Sequence, residues 1–266
     1  MPKIAISGKG GVGKSTLASL MAHIYAQKGF KVIAIDADPD GNLAAALGFP
    51  PDLTARVTPI SQMKDLIEER TGAKPGGYGL FFRMNPRVDD IPDRFSVEHR
   101  GIKLLVMGTV ERGGSGCVCP ESVLLKALVT HLLLQREEVL IMDMEAGVEH
   151  LGRATAKAVD AFIIVVEPGQ RSLQTARTVR RLAADIGIER VFVVGNKVRD
   201  QSDREFLREN LPDFTFLGFL SYSPLALEAD KQGKAVFDMD ANLVEEARAI
   251  VDALEGKGFY ASPRPE

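Results

Sequence analysis

The sequence predicts a doubly wound α/β fold, a mostly parallel sheet with helices on both faces. Short, almost continuous apolar runs recur along the 266 residues, as strands buried on both faces require. Between them lie stretches with apolar residues at three- and four-residue spacing, the mark of helices that cover such strands. Hydrophobic residues form 45% of the chain and charged residues 26%, the balance of a globular protein with an ample core.

In chain order, Ile4 to Ile6 reads as the first strand and Ser15–Lys28 as the first helix, with Gly29 where a helix C-cap is expected. Val32 to Ile35 gives the second strand. Gly72 to Gly101 breaks the alternation: it is rich in Gly, Pro and charge, carries Tyr78, Phe81 and Phe82, and reads as a long partner-binding or flexible insertion. The alternation resumes with a strand at Leu104–Met107, a helix at Pro120–Gln135, and strands at Val139–Met142 and Phe162–Val166. A helix at Gln170–Asp185, followed by Gly187, leads to strands at Val191–Val194 and Phe214–Leu220 and a helix at Ala241–Glu255. Residues 1–258 are expected to form one domain, with 259–266 a flexible tail.

Charge and cysteine content narrow the function. Lys and Arg number 33 against 36 Asp and Glu, a net charge of −3, so no global positive field exists to hold nucleic acid or an anionic membrane. Two cysteines exclude a disulfide scaffold and suit a reducing compartment. The opening MPKIAIS has too short an apolar run for a signal peptide, and no stretch approaches the ~18 apolar residues of a spanning helix. The expectation is a cytoplasmic protein without nucleic-acid or membrane partners.

GKGGVGKS, Gly8 to Ser15, satisfies G-x4-G-K-[ST] between a strand and a helix. A chance match in a chain this long has a probability on the order of 1%, and the context lowers it further. Glycines let backbone N–H groups turn toward phosphates, and the helix N-terminus adds its dipole. The cradle comprises Gly8, Lys9, Gly10, Gly11, Val12, Gly13, Lys14, Ser15 and Thr16. Lys14 is placed to contact the β- and γ-phosphates of ATP, and the Ser15 hydroxyl to ligate Mg²⁺. Asp143 ends the apolar run EVLIMD, where an aspartate holds a Mg²⁺-bound water, and Gly147 follows in a D-x-x-x-G pattern. DADPDGN, with Asp36, Asp38 and Asn42, follows the second strand. An acceptor there, opposite the γ-phosphate, is what in-line hydrolysis needs.

The two cysteines form Cys117-Val118-Cys119, ahead of the helix starting near Pro120. In an extended stretch both sulfurs face one side, and a disulfide between them would close a strained ring. A nearby helix N-terminus favours the thiolate. Two thiolates are an incomplete site, since Zn²⁺ and Fe–S clusters want four ligands. A homodimer two-fold axis through the pair supplies four sulfurs, suited to Ni²⁺, Zn²⁺, Cu⁺ or an Fe–S cluster.

Lys9, early in KGGVGKS, makes the loop resemble the deviant Walker A motif of the P-loop ATPases that include MinD, ParA and the nitrogenase iron protein. That resemblance implies that Lys9 reaches across a nucleotide-sandwich dimer to the partner's phosphates. It also implies that Asp38 orients or deprotonates the attacking water and that the Gly147 amide senses the γ-phosphate. Asn196 in VGNKVRD and Pro224 in SYSPLALEAD match the family's base-contacting positions, with ATP preferred to GTP because Arg199 stands where N-K-x-D needs an acid. With CVCPE and DMEAGVEHLGR added, the chain resembles, from Met1 to roughly Val236, the nickel-insertion ATPases that mature carbon monoxide dehydrogenase, the CooC family. This implies an ATP-dependent homodimer carrying Ni²⁺, with Zn²⁺ possible in its place, at an interface formed by Cys117 and Cys119. The dehydrogenase would be its client.

Three rivals remain. A ParA-like DNA-segregation ATPase needs a basic stripe, and Arg171, Arg177, Arg180 and Arg181 offer only a small cluster. A MinD-like membrane switch needs a basic amphipathic C-terminal helix, which Phe259–Glu266 is not. An iron-protein-like reductase could hold a [4Fe–4S] cluster on four interfacial thiolates, but that family spaces its cysteines tens of residues apart. The histidines do not cluster: His23 and His131 read as structural, and His150 as a surface or switch residue.

Overall fold

A computed structural model describes residues 1–39, 41–75, 81–109 and 119–258. Asp40, Tyr78, Cys117 and the 259–266 tail lie outside the described residues. The strands are β1 (Lys3–Gly8), β2 (Val32–Ala37), β3 (Val97–His99), β4 (Ile102–Val106), β5 (Val139–Met144), β6 (Ala161–Val166), β7 (Val191–Val198) and β8 (Thr215–Ser221). They form one sheet in the order β3-β4-β2-β5-β1-β6-β7-β8. All neighbours are parallel except the edge pair β3 and β4. The doubly wound sheet is therefore observed as the sequence predicts.

Alternation along each strand divides the core into two layers. Ile4 and Ile6 of β1, Ala34 of β2 and Ile163 of β6 face the Lys14–Gln27 and Ala241–Glu255 helices. Ala5, Ile33 and Ile35, Met142 and Ile164 face the Pro120–Gln135 and Gln170–Asp185 helices. Both faces are covered, which is why the strands read as continuous apolar runs. Gly29 and Gly187 follow their helices with φ of 84° and 89°, the left-handed conformation that ends a helix most cheaply in glycine.

The Lys64–Thr71, Gln201–Asn210 and Pro224–Gln232 helices are short and bury few apolar side chains. Gln201–Asn210 buries only Leu207, and Pro224–Gln232 only Ala229. The insertion, expected as a loop, contains a short helix at Ile91–Phe95 and the strand β3. β3 returns into β4 through Arg100 and Gly101, both at positive φ (54° and 76°), the backbone of a tight hairpin turn. Charged side chains tie this region down: Arg70 pairs with Asp90 at 2.8 Å, and Asp93 with Lys103 at 2.6 Å and Arg136 at 2.8 Å. A hairpin fixed by ion pairs and an Arg-Gly turn leaves only a faint trace in hydropathy.

Candidate nucleotide site

The site lies at the carboxyl ends of β1, β2 and β5, next to the point where the strand order reverses direction, the usual ligand position in an open α/β sheet. β1 runs into the Gly-rich loop, and the Lys14–Gln27 helix leaves it. Gly13 takes φ 96° at the start of that helix. A Cβ there would collide with the Asn196 side-chain amide, and one on Gly8 would lie 2.5 Å from the Val165 carbonyl oxygen of β6. Only glycine fits at either position. The Asn196 Nδ2 donates to the Val12 carbonyl at 2.7 Å, and the Lys197 Nζ donates to the Gly11 carbonyl at 2.5 Å. Two successive carbonyls of the loop are thus fixed by the end of β7.

Side chains converge on this loop from neighbouring strands. Register places Asp36 of β2 directly beside Asp143 of β5, with Asp143 also opposite Ile6 of β1. Both carboxyls are fully buried. Burial lifts Asp143 to about 7, against a smaller lowering by the Ser15 hydroxyl, and lifts Asp36 to about 6, against the Leu43 and Asp38 amides it accepts from. Ser15 Oγ donates to Asp143 Oδ2 at 2.5 Å. Among the described residues, the buried Asp143 Oδ1 has no hydrogen-bond partner. A serine hydroxyl beside an orphaned carboxylate oxygen is the oxygen-rich donor set that a hard divalent cation takes, so Ser15 and Asp143 fit Mg²⁺.

Asp38 forms an ion pair with Lys14 at 3.1 Å, with side chains 16% and 7% exposed. Gly147 is buried, and its carbonyl accepts from Ser7 Oγ at 3.2 Å while its N–H donates to the Glu145 carbonyl at 2.8 Å. Lys9 is part-exposed and pairs within the chain with Glu167 at 3.5 Å. A cavity of about 370 Å³ is lined by Gly10, Gly11, Gly13, Lys14, Ser15, Thr16 and Asp38, and on its far wall by Ala226, Asp230 and Lys234. Asn196 and Pro224 do not line it. Asn196 is buried, with its amide engaged by Val12 and by the Lys197 N–H, and Pro224 is exposed as the first residue of its helix. A larger groove of about 1020 Å³, bordered by Leu53, Lys64, Phe95 and Val97, lies beside β3 and holds no phosphate-binding loop.

Sequence reasoning missed Glu167, Lys197, Asp230 and Lys234. Lys197 stands in the quoted VGNKVRD stretch, but its φ of 57° and its bond to the loop depend on tertiary placement. Cys119 is the N-cap of the Pro120–Gln135 helix: its Sγ accepts the Ser122 N–H at 3.4 Å while Ser122 Oγ accepts the Cys119 N–H at 3.2 Å. Cys117 lies outside the described residues. Among the described residues, no group of three or more His, Cys, Asp or Glu is placed to hold a metal ion. Nor is any helix among them long and apolar enough to cross a membrane.

A strand, a glycine-rich loop fixed from the end of β7, a lysine, a serine and an aspartate near a strand end around one cavity define a P-loop nucleotide-binding protein. Comparison with known proteins narrows the class. Residues 3–236 match the family model of the CobQ/CobB/MinD/ParA nucleotide binding domain. The chain belongs to that family and is a P-loop ATPase. It is 47% identical over 252 residues to the carbon monoxide dehydrogenase accessory protein CooC of Rhodospirillum rubrum, covering 95% of each chain. It is 46% identical over 255 residues to an uncharacterized ATP-binding protein of Methanocaldococcus jannaschii, covering 95% of this chain and 97% of that one. Among solved structures, a chain of the MinC:MinD cell division protein complex of Aquifex aeolicus superposes with a TM-score of 0.68 at 20% identity, covering 100% of this chain and 99% of that one. At that identity the likeness concerns the fold.

Proposed function

We propose that this ATPase is a homodimeric metallochaperone that carries nickel on Cys117 and Cys119 and inserts it into carbon monoxide dehydrogenase. The observation that carries this reading is the similarity to CooC, named for that dehydrogenase, over 95% of both chains. It is joined by a cysteine pair whose second member caps the Pro120–Gln135 helix. That cap places the Cys119 sulfur at the helix start, where its Sγ accepts the Ser122 N–H.

In each subunit the Gly8–Thr16 loop binds the ATP phosphates, while Asn196, engaged with Val12 and the Lys197 N–H, holds the loop in place. Ser15 and Asp143 are the residues that would hold Mg²⁺, which would supply positive charge opposite the phosphates. An arriving phosphate competes with Asp38 for Lys14, and the Asp38 carboxylate, lining the same cavity, orients or deprotonates a water. Lys9 leaves its own subunit and contacts the phosphates bound by the partner. Loss of the γ-phosphate releases the backbone at Gly147, and the dimer arrangement that presents four cysteine sulfurs loosens. Nucleotide drives this only through its different affinity for the two arrangements.

The test is the metal content of the anaerobic dimer, with and without nucleotide, beside a Cys117→Ser/Cys119→Ser protein. One nickel or zinc ion per dimer, lost in the double variant, is expected. Four irons with broad visible absorption would replace the chaperone with a reductase. Metal that persists in the double variant, or none in either protein, removes the cargo role and leaves an ATPase switch.

A further inference from the structure

Glu167 has no part in the scheme above, yet it sits at its centre. It follows directly on β6, whose Val165 pairs with Gly8 of β1, so the sheet delivers its side chain beside the start of the phosphate loop. Its two carboxylate oxygens are divided between two lysines. Oε1 lies 3.5 Å from the Lys9 Nζ, and Oε2 lies 3.2 Å from the Lys197 Nζ. Lys197 donates in turn to the Gly11 carbonyl at 2.5 Å. The Glu167 backbone is itself anchored, its N–H donating to Ser172 Oγ at 3.0 Å at the head of the Gln170–Asp185 helix. Lys197 reaches this position from a left-handed backbone (φ 57°) that non-glycine residues seldom adopt. The chain accepts that conformation in a residue whose ammonium braces the loop.

One carboxylate therefore serves two ammonium groups with different duties. Lys197 braces the loop that holds the phosphates, and Lys9 is turned back on its own subunit. At 37% and 26% exposure the Lys9–Glu167 pair is a weak, screened contact, of a strength that a multiply charged phosphate group outcompetes. The Lys197 pair and its carbonyl bond do not have to break for Lys9 to leave. We infer that Glu167 is a positioning residue that retains Lys9 within its own subunit and surrenders it when a second, ATP-loaded subunit of this chain offers phosphates. It thereby sets the ATP concentration at which two copies associate. This inference rests on the proposed role of Lys9 across the dimer. It adds to that role a competitor in the same subunit and a mechanical link to the loop through Lys197 and Gly11.

Two expectations separate this role from simple scaffolding. Glu167→Gln keeps the shape and removes the charge, so it weakens the hold on Lys9 and makes dimers form at lower ATP. In a Lys9→Met background there is no Lys9 ammonium to release, so the same substitution has nothing to act on.

The experiment measures dimer fraction by sedimentation of the full chain against a non-hydrolysable ATP analogue with Mg²⁺. The proteins are the parent, Glu167→Gln, Glu167→Asp, Lys9→Met, Lys197→Met, Glu167→Gln/Lys9→Met and Glu167→Gln/Lys197→Met. Glu167→Gln is expected to lower the half-dimer concentration severalfold, and Glu167→Asp, which restores the charge, to return it toward the parent. In the Lys9→Met background the shift is expected to vanish, and in the Lys197→Met background to persist. A shift of equal size with and without Lys9, or a shift that disappears only without Lys197, overturns the role and assigns Glu167 to loop bracing alone. No shift in Glu167→Gln overturns it as well. A Lys9→Met protein that dimerises like the parent refutes instead the cross-dimer role of Lys9, so the two failures are read from different proteins.

Discussion

Asp143→Asn is the substitution that best exposes the tension in this site. Asp143 is fully buried beside Asp36, and its carboxyl is raised to about 7. In the unfolded chain it titrates near 4. Below pH 4 the carboxyl is neutral in both states, and its favourable contribution to folding is fully present. Between pH 4 and 7 the folded chain holds a proton that the unfolded chain has lost, so stability falls as pH rises. Over pH 5 to 8 that loss amounts to about 3 kcal/mol. Asp36, raised to about 6, adds a smaller loss with the same sign. Asparagine has the same shape, keeps an oxygen for the Ser15 hydroxyl and cannot ionise. Urea unfolding of both proteins at pH 5, 6, 7 and 8, without Mg²⁺ or nucleotide, should show the parent losing stability with rising pH and the variant losing much less. At pH 8 the variant should be the more stable protein by about 2–3 kcal/mol, and its ATP hydrolysis should fall to background. Parallel stability curves for the two proteins would refute the assignment of the pH dependence to Asp143.

Other substitutions test other parts of the site. Gly13→Ala places a methyl group against the Asn196 amide at a φ of 96°; strain of about 1–2 kcal/mol in the loop should weaken ATP binding ~10-fold or more by calorimetry, with helical circular dichroism retained. Cys119→Ala removes the acceptor for the Ser122 N–H and should cost about 0.5–1 kcal/mol, whereas Cys119→Ser keeps a cap and costs less. Both should lose the proposed metal, so stability and metal content separate the cap from the ligand. Arg136→Ala breaks its bonds to Asp93 and Glu138 and should cost about 1–2 kcal/mol. Arg136 and Lys103 hold Asp93 well below the usual carboxylate range. That contribution is present above pH 4 and fades in stronger acid, so the gap between variant and parent should shrink there in unfolding experiments.

What was legible in the sequence follows from how much apolar surface each element buries. β1, β2, β5 and β6 are buried along their whole length, and hydropathy located all four within two residues at each end. The Gln201–Asn210 and Pro224–Gln232 helices each bury one apolar residue, and neither was visible. The phosphate loop was legible because its chemistry is contiguous: glycines, Lys14 and Ser15 lie within eight residues of chain. Asp143 was legible because it closes the apolar run of β5. Glu167 and Lys197 were not, since each reaches the loop from a different strand and only the order β1-β6-β7 brings them together. The arrangement of the cysteine pair lies partly outside the described residues.

The contacts around the loop divide by what each must do when phosphate arrives. Those that define the cradle are short and local to rigid strand ends: Asn196 on Val12, Lys197 on Gly11, and the Asp36 carboxylate on the Leu43 N–H at 3.0 Å. None needs to break for a nucleotide to bind. The contacts that must change are ion pairs to the two lysines of the loop, Lys14 with Asp38 and Lys9 with Glu167. Each is a charge that a phosphate oxygen can replace in kind, so binding exchanges one ionic partner for another without leaving a buried lysine bare. The exchange takes the loop lysines from two carboxylates, Asp38 at the cavity and Glu167, still paired with Lys197, at the edge of the loop. In the proposed scheme the first meets water and the second no longer holds Lys9, so one binding event prepares both hydrolysis and association. Replacing Lys14 with Met should therefore abolish both, while replacing Lys9 with Met should impair association at ATP concentrations that still fill the cavity. Equal loss of nucleotide binding in the two proteins would contradict this division.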